Sequence, residues 1–111
     1  MRRALFALMT VPIWATTARA QRPPSTDIFL APVSVEKGVP VIGMPVNVTN
    51  RPGYDNQPSF TPDGRAILFT SVRDDGQSDI YRYDLTSKQI ARVTTTPESE
   101  YSATEIGRAH V

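Results

Sequence analysis

The rhythm of polar and apolar positions changes once along this chain. Residues 4–14 form an uncharged, mostly apolar run behind the basic start Met1-Arg2-Arg3. Beyond residue 25 no stretch sustains the 3.6-residue period of an amphipathic helix. Short β-branched and aromatic runs alternate there with turn-forming clusters, which predicts strands joined by tight connections. Residues 57–61 are a short extended run closed by Pro62-Asp63-Gly64. Proline presets φ in that tripeptide, Asp63 bonds the backbone ahead, and Gly64 tolerates a positive φ. Residues 65–72, with Ile67, Leu68, Phe69 and Val72, predict a central strand. Arg73-Asp74-Asp75-Gly76-Gln77 predicts the next turn. Residues 79–85 predict a third strand, with Ile80 and Arg82 on the face opposite Tyr81 and Tyr83. Thr86-Ser87-Lys88-Gln89 turns again, and Ile90, Val93, Thr94 and Thr95 mark a fourth strand. Four such strands make one antiparallel meander, so the expected fold class is all-β.

The leading apolar run is too short to span a bilayer, which takes about 20 residues. Ala18-Arg19-Ala20 behind it is the small-x-small pattern that a signal peptidase reads. Residues 1–20 are therefore expected to be a signal-peptide helix cleaved after Ala20, with cleavage set by Ala18 and Ala20. Residues 21–25 follow as a proline-containing linker. No cysteine follows the cleavage site, which excludes a lipoprotein anchor. Arg2-Arg3 lacks the flanks of a twin-arginine signal, so general secretion in a bacterium is expected, to the periplasm or beyond. The mature chain has no expected membrane span.

The last seven residues, Glu105-Ile106-Gly107-Arg108-Ala109-His110-Val111, do not continue the preceding pattern. From Ile106 they match one reading frame of a sequencing adapter up to its stop codon, and Glu105 fits the bases shared with it. Residues 105–111 are expected to be non-native, and the natural chain to continue past Thr104.

Self-similarity runs through the remainder. Ser25-Thr26-Asp27-Ile28-Phe29 matches Gln77-Ser78-Asp79-Ile80-Tyr81. Val48-Thr49 followed by Pro52 matches Val93-Thr94 followed by Pro97, and Pro58-Ser59 corresponds to Ala103-Thr104. The extra residues of the first copy fall in 34–45, a Gly/Pro-containing hairpin connection. A period of about 40–45 residues with strand chemistry points to propeller blades.

The residues that carry this pattern also resemble a known family. Pro58-Ser59-Phe60-Thr61-Pro62-Asp63-Gly64-Arg65, Ile67-Leu68-Phe69-Thr70-Ser71, Asp79-Ile80-Tyr81 and Asp84-Leu85 resemble a TolB-type, WD-repeat-like β-propeller blade. Phe60 stands where that pattern has tryptophan and Thr61 where it has serine. The blade-motif positions are Pro58, Phe60, Pro62, Asp63, Gly64, Ser71, Asp79, Tyr81 and Asp84. The resemblance implies that residues 26–56 hold the outer strands of a first blade, formed from 26–33 and 46–49. It implies a complete blade at 57–98 and the start of the next at 99–104. Propellers close with about 4–8 blades, so about one and a half blades make a partial propeller whose first inner strands come from elsewhere.

Composition narrows the chemistry. The chain has no cysteine and one histidine, His110, inside the suspect tail. Disulfides, thiol catalysis, cysteine-based zinc sites and histidine triads are thereby excluded from this piece. Setting aside Arg2, Arg3, Arg19, Arg108 and Glu105 leaves a slight acidic excess and no basic block, so nucleic-acid binding lacks electrostatic support. Asp74-Asp75-Gly76 with Asp79 lacks the order of a calcium loop and reads as a hairpin turn. Asp63 reads as a turn former without a catalytic partner. Tyr54, Tyr81, Tyr83 and Tyr101 read as packing between sheets rather than a binding platform. Asn47-Val48-Thr49 fits a glycosylation triplet, which a bacterial signal makes irrelevant.

No catalytic residue, cofactor or metal is expected in this piece. The resemblance implies an exported propeller segment that binds protein or another ligand in the cell envelope. The alternative is the propeller part of a prolyl-oligopeptidase-type serine peptidase, whose hydrolase domain with Gly-x-Ser-x-Gly would lie downstream.

Overall fold

The computed structural model describes residues 21–107. The signal-peptide helix, its Ala18 and Ala20 positions and residues 108–111 lie outside the described residues. The described chain is all-β, with antiparallel strand pairing in every sheet. Its largest sheet is a four-stranded meander of β5 (Tyr54–Phe60), β6 (Ala66–Val72), β7 (Ser78–Asp84) and β8 (Ile90–Arg92), in that order. The apolar run Ala66-Ile67-Leu68-Phe69 makes β6 the central strand, and five of its seven residues are buried.

The turns form for the reasons their residues predict. Gly64 N donates to Thr61 O at 2.9 Å, and Asp63 Oδ1 accepts from both Thr61 Oγ1 (2.6 Å) and Arg65 N (3.0 Å). Gly64 sits at φ +66°, where a side chain is strained. In the last turn Asp84 Oδ1 accepts from the backbone N–H groups of Thr86 and Ser87.

Most strand bounds of the meander lie within one residue of the sequence reading, and two differ from it by three. β5 starts at Tyr54, three residues before the expected run, and Gln57 is a bulge inside it. Gln57 has φ +55°, and the pairing with β6 shifts register between Asn56 and Ser59. The polar stretch Asp55-Asn56-Gln57 hides a strand because its side chains find partners within the fold. β8 ends at Arg92 instead of Thr95, because Val93 N and Thr94 N both turn to Ile80 O.

Before the meander, β1 (Phe29–Leu30) pairs with β4 (Val46–Asn47). Between them β2 (Val33–Glu36) and β3 (Val39–Ile42) form a hairpin, in the stretch expected to be a hairpin connection. The arm bends where Pro32 and Gly43 meet. Gly43 N donates to Pro32 O at 2.8 Å, and a Cβ on Gly43 would lie 2.6 Å from Pro32 Cγ. Every residue of β2 and β3 is exposed, although Val33, Val35, Pro40 and Ile42 line one face.

The core lies between the β1–β4 pair and one face of the meander. Ile28 packs with Ile67, Phe69 and Tyr83, flanked by Leu30, Val48, Tyr81, Leu85 and Ile90. Phe69 is fully buried, its ring centroid 6.1 Å from that of Tyr81 in a tilted pair. Burial of such side chains contributes about 1.5–3 kcal/mol each and fixes how the two parts stack.

The internal repeat reappears as hydrogen bonds. Thr49 Oγ1 accepts from Ile28 N, and Thr94 Oγ1 accepts from Ile80 N, both at 3.0 Å. Val48 N donates to Ile28 O as Val93 N donates to Ile80 O. Asp55 N donates to Thr26 O as Glu100 N donates to Ser78 O. The β1–β4 and β7–β8 pairs are thus two copies of one outer-strand arrangement, each followed by the same step into the next segment.

Candidate binding site

One end of the meander carries a buried row of polar side chains. Asp55, Ser71 and Asp79 stand opposite one another on β5, β6 and β7, and all three are fully buried. Burying carboxylates this way is costly unless each is paired. Ser71 Oγ donates to Asp55 Oδ1 at 2.5 Å. Arg51 Nη1 bonds both Asp55 oxygens at 3.2 and 3.3 Å, and its Nη2 donates to Val72 O. Asp79 is met by Arg92 Nη2 at 2.7 Å, and this contact raises the arginine pKa above its ordinary value. Arg92 also reaches Asp75 at 3.4 Å.

Arg73 completes the group. Its guanidinium lies 4.5 Å from the centroid of the Tyr81 ring, and its Nη2 is 4.0 Å from Asp55 Oδ1. That distance is too long for a hydrogen bond. The buried Nε and Nη2 of Arg73 have no acceptor.

A cleft of about 570 Å³ opens above this row, walled by Arg51, Gly53, Tyr54, Arg73, Asp74 and the lead-in residue Pro23. A second pocket of about 330 Å³ shares Pro23, Tyr54, Val72 and Gly76 with it and adds Ser78, Ser99 and Tyr101. The Ser78 Oγ is buried and makes no formed hydrogen bond. The Tyr101 phenol is held below its ordinary pKa by the approach of the Ser78 and Ser99 side chains.

The blade-motif residues divide between jobs. Pro62, Asp63 and Gly64 build one turn and Asp84 another. Hydrogen bonding by Thr61 and the Arg65 N–H lowers the Asp63 pKa, and the Ser87 and Thr86 N–H groups do the same for Asp84. Ser71 and Asp79 belong to the buried row, Tyr81 lies under Arg73, and Pro58 and Phe60 are exposed. The four tyrosines do not share a face: Tyr83 is in the core, Tyr81 packs on it, and Tyr54 and Tyr101 line the pockets. Asp75 and Asp79 meet on Arg92 Nη2 while Asp74 is exposed and lines the cleft, so the carboxylates gather around an arginine and form no cation loop. Among the described residues no group of three metal-capable side chains comes together. Asn47 Nδ2 donates to Asp27 Oδ2 and Thr49 is buried, so the glycosylation triplet is spent on internal bonds.

Sequence reasoning missed Arg51, Asp55, Arg73 and Ser78. The only signal for the first pair is opposite charges four residues apart, flanking Pro52-Gly53.

No helix among the described residues is long and apolar enough to cross a membrane. No family model and no solved structure matches the chain. A stretch of 29 residues is 59% identical to the Tol-Pal system protein TolB of Bordetella pertussis, and equally to those of Bordetella parapertussis and Bordetella bronchiseptica. The match takes in 26% of this chain and 7% of each relative's length, a local likeness to TolB carried by a small part of both.

Proposed function

We propose that the chain is part of a TolB-like β-propeller exported to the cell envelope, where it binds protein and performs no chemistry of its own. The observation that carries this reading is the repeated outer-strand arrangement. Ile28 with Thr49 and Ile80 with Thr94 make the same bonds in two successive units that stack through Ile28, Phe69 and Tyr83. Stacked units of this kind are how a propeller buries its sheets. The local likeness to a Tol-Pal protein supports the envelope as the compartment, and the Ala18-Arg19-Ala20 pattern agrees with export.

The test is the structure and location of the whole protein encoded by the gene. Four-stranded sheets repeated about a central axis, in a protein recovered from the periplasm with Gln21 at its N-terminus, are the expected result. A retained Met1 on the mature protein, or sheets that do not repeat radially, would overturn it. Labelling of the whole protein by a fluorophosphonate would overturn the non-catalytic part and favour the peptidase.

A further inference from the structure

We propose that Gln21 is a modification site: once it becomes the first residue of the exported chain, it closes on itself to pyroglutamate. The proposal rests on the reading of residues 1–20 as a leader cleaved after Ala20, and it says what becomes of the end that cleavage releases.

The chemistry needs only what a terminal glutamine carries. Its α-amine, as the free base, attacks the side-chain carboxamide carbon Cδ, and the new C–N bond closes a lactam ring. The Cδ–Nε2 bond breaks, the α-nitrogen gives up a proton to the leaving group, and ammonia departs. No oxidant, reductant or co-reactant is consumed, and the positive charge of the terminus is lost.

The fold leaves this residue free to react. The chain is pinned at Ser25 and Thr26: Ser25 Oγ donates to Gly53 O at 3.2 Å, Gly53 N donates to Ser25 Oγ at 3.1 Å, and Thr26 N donates to Gly53 O at 3.0 Å. Pro23 and Pro24 lie ahead of that anchor, and their missing N–H groups keep the lead-in out of the sheet. Residues 21–24 are exposed. Gln21 can therefore bring its amine onto its own carboxamide without breaking a strand or disturbing the core. It also lines both pockets, beside Tyr54, Val72 and Gly76. The charged residues around the larger pocket are Arg22, Arg51, Arg73 and Asp74. That excess of guanidinium disfavours the α-ammonium and so favours the neutral amine that attacks. The lactam takes one positive charge out of the cleft and denies an aminopeptidase its α-ammonium.

The test expresses the whole gene with its own leader and takes the intact mass of the exported protein, fresh and after incubation at neutral pH. A synthetic Gln-Arg-Pro-Pro-Ser-Thr peptide is incubated beside it until its own cyclisation is complete. The protein should then weigh about 17 Da less than a chain with a free Gln21 amine, the mass of one ammonia. Trypsin should place the loss in residues 21–37, since Pro23 protects the Arg22 bond and Gln21 holds the only carboxamide of that stretch. Gln21→Ala should be exported with a free α-amine and no loss. A free Gln21 amine on the protein after the peptide has closed would overturn the proposal and leave the export reading standing. So would the same loss in Gln21→Ala. A chain that begins at any other residue, or keeps Met1, would overturn both readings together.

Discussion

Asp55→Ala should remove a large part of the stability of this fold. Asp55 is fully buried and accepts from Ser71 Oγ and Arg51, with Arg73 nearby. Breaking a buried charge pair by deleting one partner costs about 3–5 kcal/mol. Arg51 and Arg73 are 21% and 26% exposed, so water partly compensates them and about 2–3 kcal/mol is the expected loss. Ser71→Ala removes one hydrogen bond to a carboxylate and should cost about 1.5–2 kcal/mol. The two changes destroy the same bond, so the double variant should be more stable than the sum of the singles implies, by about 1 kcal/mol or more. Urea unfolding followed by far-ultraviolet circular dichroism measures all three, with the slope m unchanged if the denatured state is unaffected. A domain of this size has on the order of 5 kcal/mol in total, so the Asp55→Ala midpoint should fall by about half. A loss below about 0.5 kcal/mol, or strict additivity with Ser71→Ala, would show that the buried row is not a coupled unit.

Three further outcomes follow from the same geometry. Asp27, Asp63 and Asp84 have folded pKa values below the ordinary 3.8, led by hydrogen bonds from Asn47, Thr61 and the Ser87 N–H respectively. A depressed carboxylate contributes stability that is full above the unfolded pKa and is lost as pH falls through the folded one. The urea midpoint should therefore hold between neutrality and about pH 5 and decline below about pH 4, with Asp84→Asn flattening that decline. Gly64→Ala meets no atom within 4 Å, yet its φ of +66° should cost about 1–2 kcal/mol, read as a lower thermal midpoint. Val35→Lys on the exposed hairpin should reduce concentration-dependent light scattering, because Val33, Val35 and Ile42 are each about two-thirds exposed or more beside open strand edges. Unchanged scattering would locate self-association elsewhere.

Much of the meander was legible because its cues are local. Pro62-Asp63-Gly64 and Asp84-Leu85-Thr86-Ser87 close turns with atoms that lie within three residues of each other. The apolar β6 announces a central strand without reference to anything distant. The arm at β2 and β3 was legible as a hairpin connection, but its strand bounds were not, since its valines also suit irregular backbone. Two positive-φ residues, Lys37 and Gly38, supply the tight turn that makes it a hairpin.

The candidate site follows a different logic. Ser71 and Asp79 stand in the motif, but their burial is tolerable only because Arg51 and Arg92 come from outside the strands they occupy. Arg51 sits on the step between the two units and brings its charge to the second one as the chain crosses over. That same step, through Pro52, Gly53 and Tyr54, forms a wall of the cleft. The site therefore belongs to the junction between units, not to either unit read alone, and a periodic search that aligns the units sees its residues as connection. It also follows that the buried row and the stacking are coupled. Loosening the contact of Ile28 with Phe69 and Tyr83 would displace the step that carries Arg51 and deprive the buried Asp55 of its partner. The stability of the row should therefore depend on packing between the units as strongly as on its own side chains.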